Sequence, residues 1–411
     1  MLAKVIKIGF FRGIAATGSL VAAFTISHYY GIEAYGRFSV IIALLSLLVV
    51  VTKCGTDLYV IKYVSFYHEI RNYVEILSII RNALYISSSF FVLVAISLLF
   101  YLYFSQYNEM YSLFFVLPLL VWQTVVASTL KAIGRQATAA IYELGFVLLI
   151  ISISVFLSGY LGTELRFELI TIVASVFILL TLVIPFYFFY KLKVNHVKVL
   201  PEFVIDKKSS KELIDFLILS LLAFIPTNGF PLLLADKLPD EEVGILAVCF
   251  RIALLINFIV TIVNSIAMPK FSVSYKKEGG ELHKYYKKYN LFLWVTCFPI
   301  LLFIMCFNSM ILSFFSVDEG FEWVLIIMVL GQLINILTGN VTALLNMIGL
   351  QRLNRNITIF SSLFAVLSLY ILSGYGIYFA AMSVSLYWGL KNFISAFYIW
   401  KHVGINCFKV T

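Results

Sequence analysis

Apolar stretches long enough to cross a membrane recur along the whole chain. A membrane-spanning helix needs about 20 consecutive, mostly apolar residues. Only 12% of the 411 residues are charged, whereas soluble domains carry about 25%. The sequence therefore predicts an all-α polytopic membrane protein with 12 transmembrane helices, at 8–30, 36–61, 82–104, 112–132, 137–160, 169–190, 213–235, 244–268, 290–313, 323–347, 357–374 and 377–400.

The basic residues predict which side of the membrane each loop faces. If the N-terminus is cytoplasmic, 23 of the 30 Lys and Arg residues lie in cytoplasmic segments, three in outer loops and four within spans. An excess of Lys and Arg marks cytoplasmic loops, so we predict that both termini are cytoplasmic. The same distribution accounts for the net charge of +9 without nucleic acid as a partner.

Reporter fusions test this orientation. A reporter fused at Val199, in the basic segment between the sixth and seventh spans, is expected to report a cytoplasmic position. A reporter fused at Gly320, in an acidic loop, is expected to report an outer position. The reverse pattern would contradict the topology and every functional conclusion that depends on it.

Two sets of matches indicate an internal repeat, one at an offset of 208 residues and one at 215 residues. Each half contains six spans and starts in the cytoplasm, so the predicted relation is a parallel pseudo-two-fold repeat. The predicted domains are a six-helix lobe (1–190), a cytoplasmic linker (191–212), a second six-helix lobe (213–400) and a cytoplasmic tail (401–411). The first set matches Glu33, Gly36, Val40, Leu47, Lys62 and Tyr67 with Glu241, Gly244, Val248, Leu255, Lys270 and Tyr275. The second set matches Leu130, Ile133, Gly134 and Gln136 with Leu345, Ile348, Gly349 and Gln351, and 157–160 with 372–375.

The sequence contains no recognisable catalytic or metal-binding constellation. Its five histidines have no metal-ligand spacing, and its five cysteines form no CxxC pair. The phosphate-binding pattern GxxxxGK[ST] does not occur. The outer loops are too short to hold the active site of a polysaccharide polymerase. We therefore predict a protein that is not an enzyme and that needs no cofactor or metal.

Four basic residues within the predicted spans are candidates to face a cavity inside the protein. Charged groups in a span usually face a protein interior or a water-filled cavity. The alternative for Arg12, near the start of the first span, is snorkelling to the interface. The alternative for Arg251 and Lys391 is pairing with a buried carboxylate or backbone carbonyls. Lys53 has a neighbouring carboxylate in sequence, so its alternative is an ion pair.

Two acidic residues within the spans are candidates for ion coupling or for structural ion pairs. Asp57 lies four residues after Lys53, so the two side chains can neutralise each other on one helix face. Glu143 lies in the fifth span. It is a candidate proton carrier or a partner for one of the basic residues within the spans.

The seventh span contains helix-breaking residues. Pro226, Gly229 and Pro231 lie within six residues of one another, and proline removes a backbone hydrogen bond. In lipid, such a break is tolerated where it packs in protein or lines a cavity. The sequence therefore predicts either a hinge or a static kink at this point.

Three short motifs lie at the ends of predicted spans. Gly31–Phe38 has the pattern G-x-E-x-Y-G-x-F, Gly55–Asp57 is followed by Lys62 and Tyr63, and Ala132–Gln136 reads AIGRQ. In this order and placement they resemble motifs of bacterial O-antigen and polysaccharide repeat-unit flippases. That family belongs to the MOP superfamily, which also contains multidrug and toxin extruders and the lipid II flippase.

The resemblance implies two helical bundles around a central cavity. It also implies a cargo of undecaprenyl diphosphate that carries an oligosaccharide. Lipid II flippases have essential cations on helices 1, 2 and 8, and this chain has Arg12, Lys53 and Arg251 on the corresponding predicted spans.

We therefore predict a flippase that moves lipid-linked oligosaccharide to the outer leaflet of a bacterial inner membrane by alternating access. The resemblance implies that the cargo diphosphate is bound by basic residues within the spans, and the candidates are Arg12, Lys53, Arg251 and Lys391. Its predicted partners are the lipid-linked oligosaccharide and the bilayer, with a polysaccharide polymerase and a chain-length regulator as candidate protein partners. One alternative is a cation-coupled multidrug extruder of the same fold. The other is a membrane-embedded polymerase or glycosyltransferase, which the short outer loops disfavour.

Overall fold

In the computed structural model, which describes residues 2–104, 113–163, 167–196, 207–276 and 281–407, every regular element is a helix. The first half contains α1 (Leu2–Tyr30), α2 (Ile32–Lys53), α3 (Thr56–Glu69), α4 (Tyr73–Phe104), α5 (Leu113–Ala132), α6 (Gln136–Ile141), α7 (Leu144–Tyr160) and α8 (Phe167–His196). The second half contains α9 (Lys207–Phe224), α10 (Phe230–Leu234), α11 (Asp240–Lys276), α12 (Glu281–Cys306), α13 (Asn308–Ser313), α14 (Glu322–Thr338), α15 (Val341–Met347), α16 (Gln351–Leu372) and α17 (Ile377–Val403).

The helices have the length and composition of a polytopic membrane protein. Within the described ranges, eight helices are long and apolar enough to cross a membrane, and a ninth crossing is formed if α14 and α15, bent by 42°, count as one span. The prediction of an all-α polytopic membrane fold is therefore confirmed. The count of twelve crossings, their pairing by a two-fold relation and the cytoplasmic termini stay predictions.

The chain packs as two compact units. The N-terminal unit comprises Lys7–Tyr29 and Ile41–Asn228, and the C-terminal unit comprises Gly229–Thr411 together with Met1–Ile6 and Tyr30–Val40. The boundary between these packing units, at 228/229, does not coincide with the predicted boundary between the lobes, at 191–212. The division into two six-helix lobes stays a prediction. The middle of the predicted linker lies outside the described residues, and its flanks at 191–196 and 207–212 are helical.

Each unit has its own packed interior. In the N-terminal unit, α3, α4 and α5 enclose apolar side chains such as Val60, Ile80 and Val125. In the C-terminal unit, α17 packs along α14 and α16, and α11 packs against α12 and α14. The outward sides of many helices carry exposed large apolar residues, which is the arrangement expected for helices that face lipid.

Two equivalent positions of the sequence repeat contact each other within the C-terminal unit. A Cβ atom on Gly36 would overlap the backbone carbonyl of Asp240, and a Cβ atom on Gly244 would overlap the backbone carbonyl of Ile32. Ile32 and Asp240 are separated by 208 residues, as are Gly36 and Gly244. The contact is therefore reciprocal, because each repeat places its glycine against the same backbone position of the other. Arg37 adds ion pairs to Glu33 at 2.6 Å and to Asp240 at 2.8 Å.

The residues after α17 fold back into the C-terminal unit. Gly404 ends the helix with a left-handed backbone (φ 72°), after which Ile405 and Cys407 are buried beside Phe271, Tyr286 and other core residues. Burial raises the pKa of the Cys407 thiol to about 11, so this thiol stays protonated at neutral pH. Part of the predicted tail, as far as residue 407, therefore packs in the core of the C-terminal unit. Residues 408–411 lie outside the described residues.

Candidate functional site

A break in the second predicted span positions the first pair of candidate residues. Cys54 and Gly55 both have positive φ angles, 47° and 74°, so α2 ends at Lys53 and α3 starts at Thr56. Only glycine adopts such a backbone at little cost. A Cβ atom on Gly55 would also lie 2.5 Å from the carbonyl oxygen of Leu213 in α9. Glycine is therefore required at position 55 both by the backbone conformation and by the close approach of α9.

Lys53 and Asp57 form an ion pair across this break. Lys53 Nζ donates to Asp57 Oδ2 at 2.7 Å, and the two side chains are 12% and 17% exposed. Lys53 is the last residue of α2, and Asp57 lies in the first turn of α3. Each charge therefore has the sign that its helix end favours. The two residues do pair, but the expectation that they share one continuous helix face is wrong, because the helix is interrupted between them.

A second ion pair joins α5 to the start of α7. Lys131 Nζ lies 3.0 Å from Glu143 Oε1, and both side chains are about one-third exposed, at 31% and 33%. The start of α7, next to Glu143, packs closely on α1. A Cβ atom on Gly145 would overlap the backbone of Ala15 in α1. Glu143 therefore has a basic partner, but this partner is Lys131 and not one of the basic residues within the predicted spans.

Both ion pairs line one cavity within the N-terminal unit. The cavity has a volume of about 290 Å³ and is enclosed by α2, α3, α5 and the junction of α6 and α7. Its lining contains two cationic and two anionic side chains, so its formal charge is zero. The lining residues are Leu45, Ser46, Val49, Lys53, Asp57, Leu120, Gln123, Thr124, Ala127, Ser128, Lys131, Tyr142, Glu143, Leu144 and Asn228.

Two polar atoms in the wall of this cavity lack a hydrogen-bond partner among the described residues. They are Asp57 Oδ1, an acceptor, and Gln123 Nε2, a donor. Most buried polar groups in proteins are hydrogen-bonded, so an exception needs an explanation. Both atoms belong to terminal groups whose torsions are soft, and both residues line the cavity.

Arg251 and Lys391 lie in the C-terminal unit and do not line this cavity. Arg251, in α11, interacts with Tyr35, which is buried at the start of α2. Lys391, in α17, is half-buried, and its Nζ lies 3.5 Å from the Tyr387 hydroxyl and 5.8 Å from the centre of that ring. The backbone of Arg12 is part of α1, but its side chain lies outside what the structure describes.

The helix-breaking residues of the seventh predicted span form a π-helical segment. The segment Ile225–Gly229 connects α9 to α10, and Thr227 Oγ1 donates to the carbonyl of Ala223 at 2.9 Å. Single π-helical turns are frequent at functional sites. Pro231 lies in the first turn of α10, where a missing N–H is tolerated. The choice between a hinge and a static kink stays a prediction.

Three cavity residues were not identified from the sequence. Lys131 lies at the end of the fourth predicted span, and Gln123 and Asn228 carry no charge. For α5 a signal does exist, because Thr124, Ser128 and Lys131 recur at spacings of four and three residues in a mostly apolar helix, with Gln123 next to Thr124. This spacing places them on one face. No comparable pattern surrounds Asn228.

Comparisons with known proteins show the fold. No family model and no curated protein matches the chain. A multidrug resistance MATE family transporter of the MOP superfamily, in an inward-facing conformation, matches with 13% identity, a TM-score of 0.62 and 98% of each chain covered. MATE in the straight conformation matches with 13% identity and a TM-score of 0.62, covering 100% of this chain and 96% of that one.

A third structure is a MOP superfamily transporter from Pyrococcus furiosus, whose binding pocket has a reverse polarity that suggests a different function. It matches with 15% identity and a TM-score of 0.59, covering 98% of this chain and 95% of that one. The TM-scores of these matches establish the fold, whereas sequence identities this low do not identify the substrate. The chain therefore has the fold of MOP superfamily transporters.

Proposed function

We propose that this chain is a flippase for lipid-linked oligosaccharide, with twelve spans in two lobes and both termini in the cytoplasm of a bacterium. The cargo is an undecaprenyl diphosphate that carries a sugar repeat unit. Transport proceeds by alternating access in the inner membrane, without bond cleavage. The MOP fold supports the transport part of this proposal, and the motifs at the ends of α1, α2 and α5 support the choice of cargo.

The observation that carries the choice of cargo is the environment of Lys391. This cation lies near the middle of α17, and in the described parts of the chain no carboxylate forms an ion pair with it. The Tyr387 hydroxyl, which Lys391 Nζ contacts, is neutral and at 3.5 Å is distant for a hydrogen bond. An uncompensated cation within a helix bundle is costly. An anionic ligand such as a diphosphate supplies the missing charge.

Substitution of Lys391 tests the proposal. In the native host, Lys391→Glu is expected to lower surface polysaccharide at least about tenfold, because each loss of about 1.4 kcal/mol in cargo binding is tenfold. Lys391→Arg, which keeps the charge, is expected to retain most of the polysaccharide. Lys401→Glu makes the same change at an exposed position of the same helix and serves as the matched control. Normal polysaccharide in Lys391→Glu cells that contain normal amounts of the protein would remove Lys391 from cargo binding.

A cation-coupled multidrug extruder is the second candidate, and one observation favours it. Asp57 keeps one carboxylate oxygen without a partner in the cavity of the N-terminal unit, and a carboxylate is the kind of group that binds a proton or an organic cation. An assay of ethidium efflux from cells separates the two candidates. Efflux that depends on Asp57, together with unchanged surface polysaccharide in a deletion strain, would favour the extruder.

A further inference from the structure

We propose that the cavity of the N-terminal unit binds a neutral sugar ring of the cargo and not its diphosphate. The inference rests on the proposed function, since it states where the sugar part of the lipid-linked oligosaccharide lies. It also assigns Lys53 a different role from the one that the flippase resemblance implies. In this assignment Lys53 orients Asp57 and donates to a sugar hydroxyl, and it does not neutralise phosphate.

The charge of the cavity opposes a diphosphate. Both of its cations are already compensated, Lys53 by Asp57 at 2.7 Å and Lys131 by Glu143 at 3.0 Å. A diphosphate that entered would lie beside both carboxylates, and like charges at such distances repel strongly in a partly buried site. A free cation would in turn be repelled by the two lysines, Lys53 and Lys131. A neutral ligand pays neither cost.

The hydrogen-bonding groups of the cavity match hydroxyl groups. The lining presents charged donors from Lys53 and Lys131 and charged acceptors from Asp57 and Glu143. A hydroxyl both donates and accepts, so one sugar hydroxyl can accept from a lysine and donate to the carboxylate that is paired with it. The unpartnered Asp57 Oδ1 and Gln123 Nε2 add one acceptor and one donor.

The size and the apolar part of the wall also suit one sugar ring. A volume of about 290 Å³ corresponds to the space of about ten water molecules, since one water occupies about 30 Å³ of liquid. This is more than bridging waters need and leaves room for one monosaccharide. Leu45, Val49, Leu120 and Leu144 form apolar wall against which the C–H groups of a pyranose can pack.

Binding to the purified full-length protein in detergent tests the inference. The first probe is a set of neutral sugars, namely glucose, galactose and N-acetylglucosamine, with thermal unfolding as the readout. At saturation the best of them is expected to raise the Tm of the wild-type protein by at least about 1 °C. Gln123→Leu removes the amide at nearly constant size and is expected to abolish the shift.

The matched control is Gln332→Leu. Gln332 is also a fully buried glutamine whose Nε2 has no partner among the described residues, but it lies in α14 of the C-terminal unit. Its substitution is expected to leave the sugar shift unchanged. Should Gln123→Leu fail to fold, Glu143→Gln provides the second variant, because it removes a charged acceptor at constant size from a side chain that is one-third exposed.

The second probe is undecaprenyl diphosphate without sugar, which is expected to stabilise the wild type and Gln123→Leu equally. If it stabilises both while no sugar shifts the wild type, the sugar site is wrong and the flippase proposal stands. If neither probe shifts the Tm, the flippase proposal fails as well. A sugar shift that persists in Gln123→Leu and Glu143→Gln would place the sugar outside this cavity. Stabilisation by Na⁺ or by lower pH, without any sugar effect, would make the cavity a cation site instead.

Discussion

Lys53→Ala and Asp57→Ala are each expected to destabilise the protein by about 3–5 kcal/mol, because each leaves the partner as an uncompensated charge in a largely buried site. The double alanine variant is expected to recover most of the lost stability, since it leaves no buried charge without a partner. The measurements are the amount of protein in the membrane and the Tm of the purified protein for both single variants and the double variant.

The activity of the double variant separates a structural pair from a pair that contacts cargo. If the pair is only structural, surface polysaccharide recovers together with the protein level. If the pair contacts cargo, the level recovers and the polysaccharide does not. Lys62→Ala is the matched control, since Lys62 pairs with Glu212 at 2.9 Å but is 50% exposed, and such surface pairs contribute about 0–1 kcal/mol. Single variants as stable as this control would contradict the buried pair.

Gly36→Ala is expected to destabilise the protein by about 3 kcal/mol, the upper end of the cost of overpacking. The added Cβ atom overlaps the backbone carbonyl of Asp240, and a backbone atom cannot move aside as the end of a side chain can. Relief requires α2 and α11 to separate, which also weakens the ion pair between Arg37 and Asp240. The Tm of the purified variant and its level in the membrane measure the effect.

Gly374→Ala is the control for this substitution. Its added Cβ atom would have no heavy atom within 4 Å, and its φ angle is not in the left-handed region. It is expected to leave the Tm unchanged. A Gly36→Ala protein with the Tm of this control would show that the two helices approach less closely than the structure has them.

The apolar pattern was sufficient to predict an all-α membrane protein, because burial in lipid requires long apolar helices and the pattern is repeated along the chain. The spacing of four residues indicated an ion pair between Lys53 and Asp57 as one alternative, and the two side chains do pair, but across a break in the helix and not along one continuous helix face. The repeat drew attention to Gly36 and Gly244 as equivalent positions. The contact between these glycines was not predictable. A sequence repeat shows which positions of the two halves are equivalent, but it does not show which of them contact each other.

The rest of the candidate site depends on tertiary packing. Glu143 pairs with Lys131 only because the turn after α5 brings the two together, and periodicity within one helix carries no information on this. The bend between α14 and α15 likewise occurs at Gly339, whose φ angle is 68° and whose backbone packs against Asn290 in α12. The charge balance of the cavity depends on two ion pairs that come from different helices. The sequence of one helix therefore does not predict it.

The reciprocal contact between Gly36 and Gly244 bears on the origin of the chain. A contact in which each half offers the same patch to the other is isologous, as in a two-fold symmetric homodimer. We hypothesise that a half-length ancestor with glycine at this position had a surface that fits a second copy of itself. In this hypothesis, gene duplication and fusion joined two subunits that were associated beforehand. A half-length relative that lacks this glycine and yet dimerises through the same helix would count against it.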